Sequence, residues 1–165
     1  MNPLEPYGVS KTCADLIAQN FVEVYGLNII ITRPCNTYGY DRNIRIIPNT
    51  IRKCLKGEKP VIWKWEETKR QYIYVEDLVD ALIFLMENKK KGIFNITSPD
   101  VLTPKQVVET ILKFFPHLEP EYLERDKPTE IMAQSMRMQP FGWGPKSTFE
   151  KGIEETIKKF RMYGF

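Results

Sequence analysis

Histidine and cysteine are scarce in this chain of 165 residues, and that scarcity excludes most metal sites. The single histidine is His117, and the three cysteines, Cys13, Cys35 and Cys54, share no metal-ligand spacing. We therefore predict no metal site and no disulfide framework. Cysteines that are few, widely spaced and odd in number are typical of proteins in a reducing compartment. We therefore predict a cytoplasmic protein.

The sequence also lacks a long apolar run, a signal peptide and a cluster of like charges. The longest apolar stretch, Leu78–Met86, is too short to span a bilayer, and the first residues are neither basic nor apolar. The 24 basic and 21 acidic residues leave a net charge of +3 and are mixed along the chain, unlike the basic stripe of a nucleic-acid binder. We expect a soluble protein with neither a membrane nor a nucleic acid as its partner.

The residues that are present alternate between helix and strand patterns. Helical spacing over Tyr7–Tyr25 precedes a β-branched run at Leu27–Thr32, and 42% hydrophobic residues suffice for a core. Further predicted elements are a helix from Pro48 to about Leu55, a strand at Gln71–Val75, a helix from about Glu76 to Asn88, a strand at Gly92–Ile96, a helix from a capping box at Thr103 to about Phe115, and a terminal helix from a second capping box at Ser147. The alternation predicts an α/β fold.

A glycine-rich turn is absent from this α/β pattern. A complete dinucleotide-binding domain starts with a strand and a glycine-rich turn, and no G-x-x-G-x-x-G run occurs anywhere in the chain. The chain enters its first helix directly after a proline-containing loop. Either the fold is unrelated to that class or its first half is missing.

Tyr7 and Lys11 are the first candidates for chemistry. They are four residues apart on a predicted helix, so their side chains share one face. An ammonium beside a phenol favours the phenolate and lowers the pKa of the tyrosine, which suits a general acid/base. Because this spacing also arises by chance, the pair alone decides nothing.

The context of the pair resembles the extended short-chain dehydrogenases/reductases, the family of nucleotide-sugar epimerases and dehydratases. Five segments match in order: Pro6-Tyr7-Gly8-Val9-Ser10-Lys11 with the residues before it, Arg33-Pro34-Cys35-Asn36-Thr37-Tyr38-Gly39, Arg70-Gln71-Tyr72-Ile73-Tyr74-Val75-Glu76-Asp77-Leu78, Phe94-Asn95-Ile96 and Phe141-Gly142-Trp143-Gly144-Pro145. They extend over nearly the whole chain.

The resemblance implies roles for individual residues. Tyr7 would exchange a proton with the sugar hydroxyl while hydride moves to or from NAD, and Lys11 would bind the nicotinamide ribose and tune Tyr7. Pro34 would lie beside the nicotinamide. Asn36 would contact the substrate diphosphate or sugar, although an asparagine there also suits a turn.

Phosphate binding is implied for a further set of cations. Arg70 matches the arginine that pairs with the substrate phosphates, a task suited to a guanidinium, although a solvated charge on an edge strand is the alternative. The resemblance implies a second cation just before the final segment, and Arg125 and Lys127 are both candidates. Asp77 is expected to cap the helix that begins near it.

The predicted fold is α/β: the carboxyl-terminal part of a Rossmann-like parallel sheet, with a small mixed α/β substrate-binding region. We predict one partial domain, in which residues 1–60 and about 70–98 form the rest of the Rossmann-like core. Residues 61–69 and about 99–145 would form the substrate-binding region, and 146–165 the terminal helix. Because the dinucleotide fold is incomplete, the family cofactor NAD is not expected to bind this chain alone.

Two functions are open at this point. The first is the carboxyl-terminal half of an NAD-dependent nucleotide-sugar 4,6-dehydratase or 4-epimerase, inactive alone, whose partners are a nucleotide-diphosphate sugar and a complementing amino-terminal half or a second copy. The second is a truncated, non-catalytic remnant or interaction module. Three departures from the family pattern keep the second function open: no glycine lies between Lys64 and Arg70, Gln71 replaces an aspartate, and the stretch Ala133–Pro140 is shortened and lacks the family's aspartate.

Overall fold

The computed structural model describes residues 6–63, 68–124 and 141–164, and helices and strands alternate through them. Their bounds are α1 (Pro6–Tyr25), β1 (Ile30–Pro34), β2 (Asn36–Tyr38), α2 (Ile46–Leu55), β3 (Val61–Trp63), β4 (Arg70–Tyr74), α3 (Val75–Glu87), β5 (Gly92–Ile96), β6 (Val101–Leu102), α4 (Pro104–Leu112), β7 (Glu121–Leu123) and α5 (Phe149–Tyr163). The predicted α/β class is confirmed. No helix within these ranges is both long and apolar enough to cross a bilayer.

Parallel strand pairs bring the central segments together. β1 pairs with β5, β2 with β4, and β3 with β7, all in parallel, while β6 joins β4 antiparallel. Between β1 and β2 the chain changes partner at Cys35, whose amide still donates to the Ile96 carbonyl. The end of β1 is therefore held close to the start of β2 and to β4, which carries Arg70.

Two apolar clusters hold these elements together. The larger one packs α2, α4 and α5 against β2 and β4, with Ile51, Val107 and Phe160 fully buried. The smaller one packs Leu85 of α3 against β4, β5 and Phe141. Each fully buried large aliphatic or aromatic side chain contributes about 1.5–3 kcal/mol to folding.

Helix α1 takes part in neither cluster. None of its 20 residues is buried, and apolar side chains such as Leu16, Ile17 and Val24 are 56%, 58% and 61% exposed. A helix with apolar side chains on several sides is usually covered by other elements. Alongside it, β1 is hydrogen-bonded to one strand within the described ranges, β5.

Several predicted boundaries shift in the structure. The strand predicted at Leu27–Thr32 begins at Ile30, because Gly26 takes a left-handed conformation (φ 65°) and Ile29 then turns back to bond the Leu27 carbonyl. The capping box at Thr103 is confirmed. The capping box at Ser147 is wrong: Thr148 is the N-cap, and its hydroxyl accepts from the Lys151 amide.

Asp77 does not cap α3 as expected. Tyr74 occupies the N-cap position, and the buried Asp77 carboxylate accepts from the amides of Lys146 and Ser147, both at 3.1 Å. Asp80, one turn further on, accepts from the Trp143 indole at 2.7 Å. These two carboxylates therefore fasten the segment before α5 to α3, a long-range contact that local sequence patterns do not reveal.

Gly152 is the position in α5 where the packing demands glycine. An added Cβ would lie 2.1 Å from the Tyr38 hydroxyl, which donates to the Phe149 carbonyl. Although alanine is the better helix former by about 1 kcal/mol, we expect Gly152→Ala to destabilise the fold by about 1–3 kcal/mol through overpacking. Denaturant unfolding measures the effect, with Gly144→Ala, whose Cβ would meet nothing within 4 Å, as the control. A more stable Gly152→Ala protein would contradict the packing described here.

Candidate active site

A cavity of about 630 Å³ lies where α1, β2, α2 and β4 meet. Tyr7, Asn36, Arg45 and Arg70 contribute polar side chains to its lining. Gly39 follows β2 in this lining, where a Cβ would lie 2.6 Å from the Val75 side chain, so the close approach of these two segments requires glycine. Side chains distant in the sequence thus share one concave surface.

Tyr7 lies at the start of α1 and is 68% exposed. The ammonium of Lys11 lies over its ring, 5.5 Å from the ring centroid, so both side chains are on one side of the helix. The phenol is therefore accessible to a molecule in the cavity. The amine that the resemblance assigns to the cofactor ribose is within one helical turn of it.

A bidentate ion pair connects α1 to β1. The Arg33 guanidinium donates to both oxygens of Asp15, at 2.9 and 2.7 Å, and Gln19 donates to the same carboxylate at 2.6 Å. The hydrogen bond with Arg33 lowers the pKa of Asp15 and raises the pKa of the guanidinium. Asp15 is one helical turn after Lys11, so this pair sets how α1 lies against the end of β1.

Pro34 and Asn36 lie where the chain passes from β1 to β2. Pro34 is exposed at the carboxyl end of β1. Asn36 is a strand residue, not a turn residue, and its amide donates to the Gln71 carbonyl of β4 at 3.0 Å. That hydrogen bond holds the asparagine side chain at the cavity wall.

Arg70 lines two neighbouring cavities. It borders the cavity of Tyr7 and also a second one, of about 460 Å³, between α2, β3 and α4. Tyr72 and Ile46 border both as well, so the two spaces adjoin. The positive charge of Arg70 at the junction of the two cavities is suited to bind an elongated ligand whose negative charge lies at its centre.

Arg45 was not among the site residues predicted from the sequence. Arg45 lines the first cavity, just before α2, and a basic residue next to the start of that helix was the available signal. Arg125 and Lys127 lie outside the described residues.

Two of the three thiols are unsuited to nucleophilic chemistry. Burial raises the pKa of Cys35, and it raises the pKa of Cys54 to about 11, which makes both poor nucleophiles. Through residues 6–63, 68–124 and 141–164, no three histidine, cysteine, aspartate or glutamate side chains converge as metal ligands would.

Comparison with known proteins decides the family. Residues 1–97 match the model of the NAD dependent epimerase/dehydratase family. The chain belongs to this family. UDP-glucuronic acid decarboxylase 3 of Arabidopsis thaliana is 31% identical over 163 residues, covering 94% of this chain and 48% of the relative. The dTDP-D-glucose 4,6-dehydratase of Homo sapiens is 27% identical, covering 96% of this chain and 49% of the relative.

Solved structures of family members share the fold. The dTDP-glucose 4,6-dehydratase of Bacillus anthracis, solved with NAD, superposes with a TM-score of 0.85 at 27% identity, covering 99% of this chain and 54% of that one. The UDP-N-acetylglucosamine 4-epimerase of Methanobrevibacter ruminantium, in complex with UDP-N-acetylmuramic acid, gives 0.86 at 28%, covering 98% and 55%. These neighbours confirm the prediction of part of a Rossmann-like fold. The chain spans about half the length of the curated relatives it matches.

Removing the Asp15 carboxylate is expected to loosen α1. The pKa of Asp15 is lower in the folded protein than in the unfolded chain, where it is about 4. The ion pair with Arg33 therefore stabilises the folded state fully at a pH above the unfolded pKa. This stabilisation is lost as the pH falls through the pKa of Asp15 in the folded protein. We expect Asp15→Asn to lower the free energy of unfolding by about 1–2 kcal/mol at pH 7 and by less at pH 3. Denaturant unfolding at the two pH values measures this. Glu23→Gln, on the same helix, serves as the control, and a pH-independent loss would contradict the ionic origin.

Proposed function

We propose that this chain carries the nucleotide-sugar site and the Tyr7/Lys11 pair of an NAD-dependent nucleotide-sugar 4,6-dehydratase or 4-epimerase. One observation carries the proposal: Tyr7 and Arg70, 63 positions apart in the sequence, line the same cavity. The former supplies a phenol for proton transfer and the latter a guanidinium for phosphate. Relatives that bind UDP-sugars in their solved structures support this substrate class.

The two cavities suggest the orientation of the substrate. The sugar lies in the cavity that contains the Tyr7 phenol, and the diphosphate lies near Arg70 at the junction. The nucleoside then occupies the second cavity, where Asn49 offers an amide and Trp63 a partly exposed ring. Pockets of this kind combine apolar walls with a few polar groups that fix the orientation of the ligand.

Proton transfer is the chemistry that this chain supplies. Tyr7 acts as the base that takes the proton of the sugar C4 hydroxyl while the C4 hydride leaves to the cofactor, and the Lys11 ammonium lies over the Tyr7 ring. A dehydratase then eliminates water from the resulting 4-keto sugar, whereas an epimerase reduces it again from the other face. Asn36, held by the Gln71 carbonyl, keeps its amide oxygen available to the substrate.

The residues of this chain that suit NAD would contact only the nicotinamide end of the cofactor. Lys11 and Pro34 are exposed and suit the nicotinamide ribose and ring, whereas the sequence contains no glycine-rich turn for the pyrophosphate. NAD held beside Lys11 and Pro34 would supply the acceptor for the sugar C4 hydride and the donor that returns it. We propose that the pyrophosphate turn comes from a second polypeptide segment.

Binding of nucleotide sugars to the chain tests this function. We expect at least one of UDP-glucose, dTDP-glucose, GDP-mannose and CDP-glucose to bind in calorimetric titration. Loss of a charged hydrogen bond makes Arg70→Gln bind at least about tenfold more weakly. The control Lys69→Gln removes a neighbouring positive charge that does not line the cavity. If none of the four sugars binds the unaltered chain, the proposed function is wrong.

The exposed surface of α1 favours the second candidate, an interaction module. Apolar side chains along the helix, among them Leu16 and Phe21, are uncovered, and β1 has an open edge in the described structure. The matched relatives are about twice as long, so they carry as many residues again as those aligned here. We propose that a strand-and-helix segment equivalent to that remainder covers this surface, and that a second copy substitutes for it in the isolated chain.

The oligomeric state of the isolated chain tests the exposed surface. We expect self-association at micromolar concentrations, because covering apolar area is favourable by about 25 cal/mol per Å². The double variant Leu16→Glu with Phe21→Glu should shift the light-scattering mass towards the monomer. Val79→Glu alters an apolar residue of similar exposure on α3 and should leave the mass unchanged. A monomeric unaltered chain would contradict the prediction.

A further inference from the structure

We infer that Tyr40 is a positioning residue through which the last turn of α5 holds one wall of the cavity that contains Tyr7. The inference rests on the proposed function, because the affinity that it concerns is the affinity for the nucleotide sugar. It assigns no contact with that ligand. The residues that act through Tyr40 lie on α5, and none of the described residues of α5 lines the cavity.

The wall in question is the irregular segment between β2 and α2, residues 39–45, called here the β2–α2 segment. Four of its residues line the cavity: Gly39, Tyr40, Asp41 and Arg45. Tyr40 packs against the larger apolar cluster, whereas Ile44, the other large apolar residue of the segment, is 88% exposed. Connecting segments with few buried contacts open easily. The position of this wall therefore depends on what Tyr40 contacts.

Tyr40 contacts three positions at the end of α5. Its ring lies edge-on to Phe160, with the ring centroids 4.9 Å apart, and tilted to Tyr163 at 5.7 Å. Its hydroxyl donates to the carbonyl of Gly164, the residue that follows the helix, at 3.1 Å. Phe160 is fully buried and Tyr163 is 62% exposed. Tyr40 thus connects the cavity wall both to the fixed part of α5 and to its exposed end.

The rest of α5 is a firm support for these contacts. Ile153 and Ile157 belong to the larger apolar cluster, and the Tyr38 hydroxyl donates to the Phe149 carbonyl at the start of the helix. That contact is buried, whereas the contact of Tyr40 with Gly164 lies at the exposed end, where helices fray. The contact at the end of α5 can therefore be removed without disturbing the core.

The β2–α2 segment is also held from the side of α2. The Arg52 guanidinium donates to three consecutive backbone carbonyls, those of Asp41, Arg42 and Asn43, at 3.4, 3.0 and 2.7 Å. With Tyr40 in place on α5, the segment is supported from two sides before any ligand binds. A preorganised wall loses less entropy on binding than a loose one. Loss of the α5 support is therefore expected to weaken binding, although no contact with the ligand is removed.

Substitution of Tyr163, which is not a lining residue of the cavity, tests this coupling. Calorimetric titration uses whichever of UDP-glucose, dTDP-glucose, GDP-mannose and CDP-glucose binds the unaltered chain most tightly. Because the ring contact with Tyr40 is lost, Tyr163→Ala should weaken binding about threefold to tenfold. Tyr163→Phe keeps the ring and should bind within about twofold of the unaltered chain. The control Met162→Ala alters a neighbouring residue that is 75% exposed and should also stay within about twofold.

A double-mutant cycle separates this coupling from a general loss of stability. Tyr40→Ala removes the residue through which the last turn acts, so adding Tyr163→Ala to it should change the affinity by less than about twofold. If Tyr163→Ala caused the same loss with and without Tyr40, or no loss in either background, the inference would be overturned and the proposed function would stand.

Hydrogen exchange tests the coupling without a ligand. Alanine is the better helix former, so Tyr163→Ala is expected to leave α5 intact. The amides of residues 40–45 should exchange at least about threefold faster in Tyr163→Ala, while those of α4 keep their rates. Unchanged rates over residues 40–45, or equally faster exchange in α4, would overturn the inference. If the unaltered chain bound none of the four nucleotide sugars, the proposed function would fail and this inference with it.

Discussion

The ion pair between Asp15 and Arg33 sets the geometry on which the candidate site depends. α1 buries none of its own side chains, so apolar packing does not fix its position in the described structure. The two parallel hydrogen bonds of the Arg33 guanidinium define both the distance and the orientation of the helix relative to β1. Tyr7 and Lys11 lie on the preceding turns of the same helix. The place of Tyr7 in the cavity lining therefore follows from a polar contact that excludes many alternative positions of the helix.

The change of strand partner at Cys35 is the second constraint. β1 pairs in parallel with β5, and β2 pairs in parallel with β4. Only one residue, Cys35, separates β1 from β2. Asn36 is thereby fixed next to Gln71, and Arg70 lies at the beginning of β4, within the same wall. The turn before α2 brings Arg45 into the lining of the same cavity. Positive charge from two segments therefore meets at one cavity, where Asp41 is the one acidic residue among the described lining residues.

The contrast between the two sides of the molecule explains why both proposed functions have support. Helices α2, α4 and α5 pack in a dense apolar cluster, and α2 lines both cavities of the candidate site. The side formed by α1 and β1 presents exposed apolar residues and an open strand edge. Both proposed surfaces include α1: Tyr7 lines the proposed substrate cavity, whereas Leu16 and Phe21 belong to the proposed partner surface.

The sequence by itself determined the family, the α/β class and most helices, because those depend on local patterns and ordered motifs. Short stretches of sequence are enough to recognise the N-cap at Thr103 and the family segments around Tyr7, Asn36 and Arg70. Only the tertiary structure decided which charges meet. Asp77 fastens the segment before α5 and does not cap its own helix, and Arg45 joins Arg70 in a cavity. These contacts connect residues 25 to 70 positions apart, and their energy depends on distances that no local periodicity encodes.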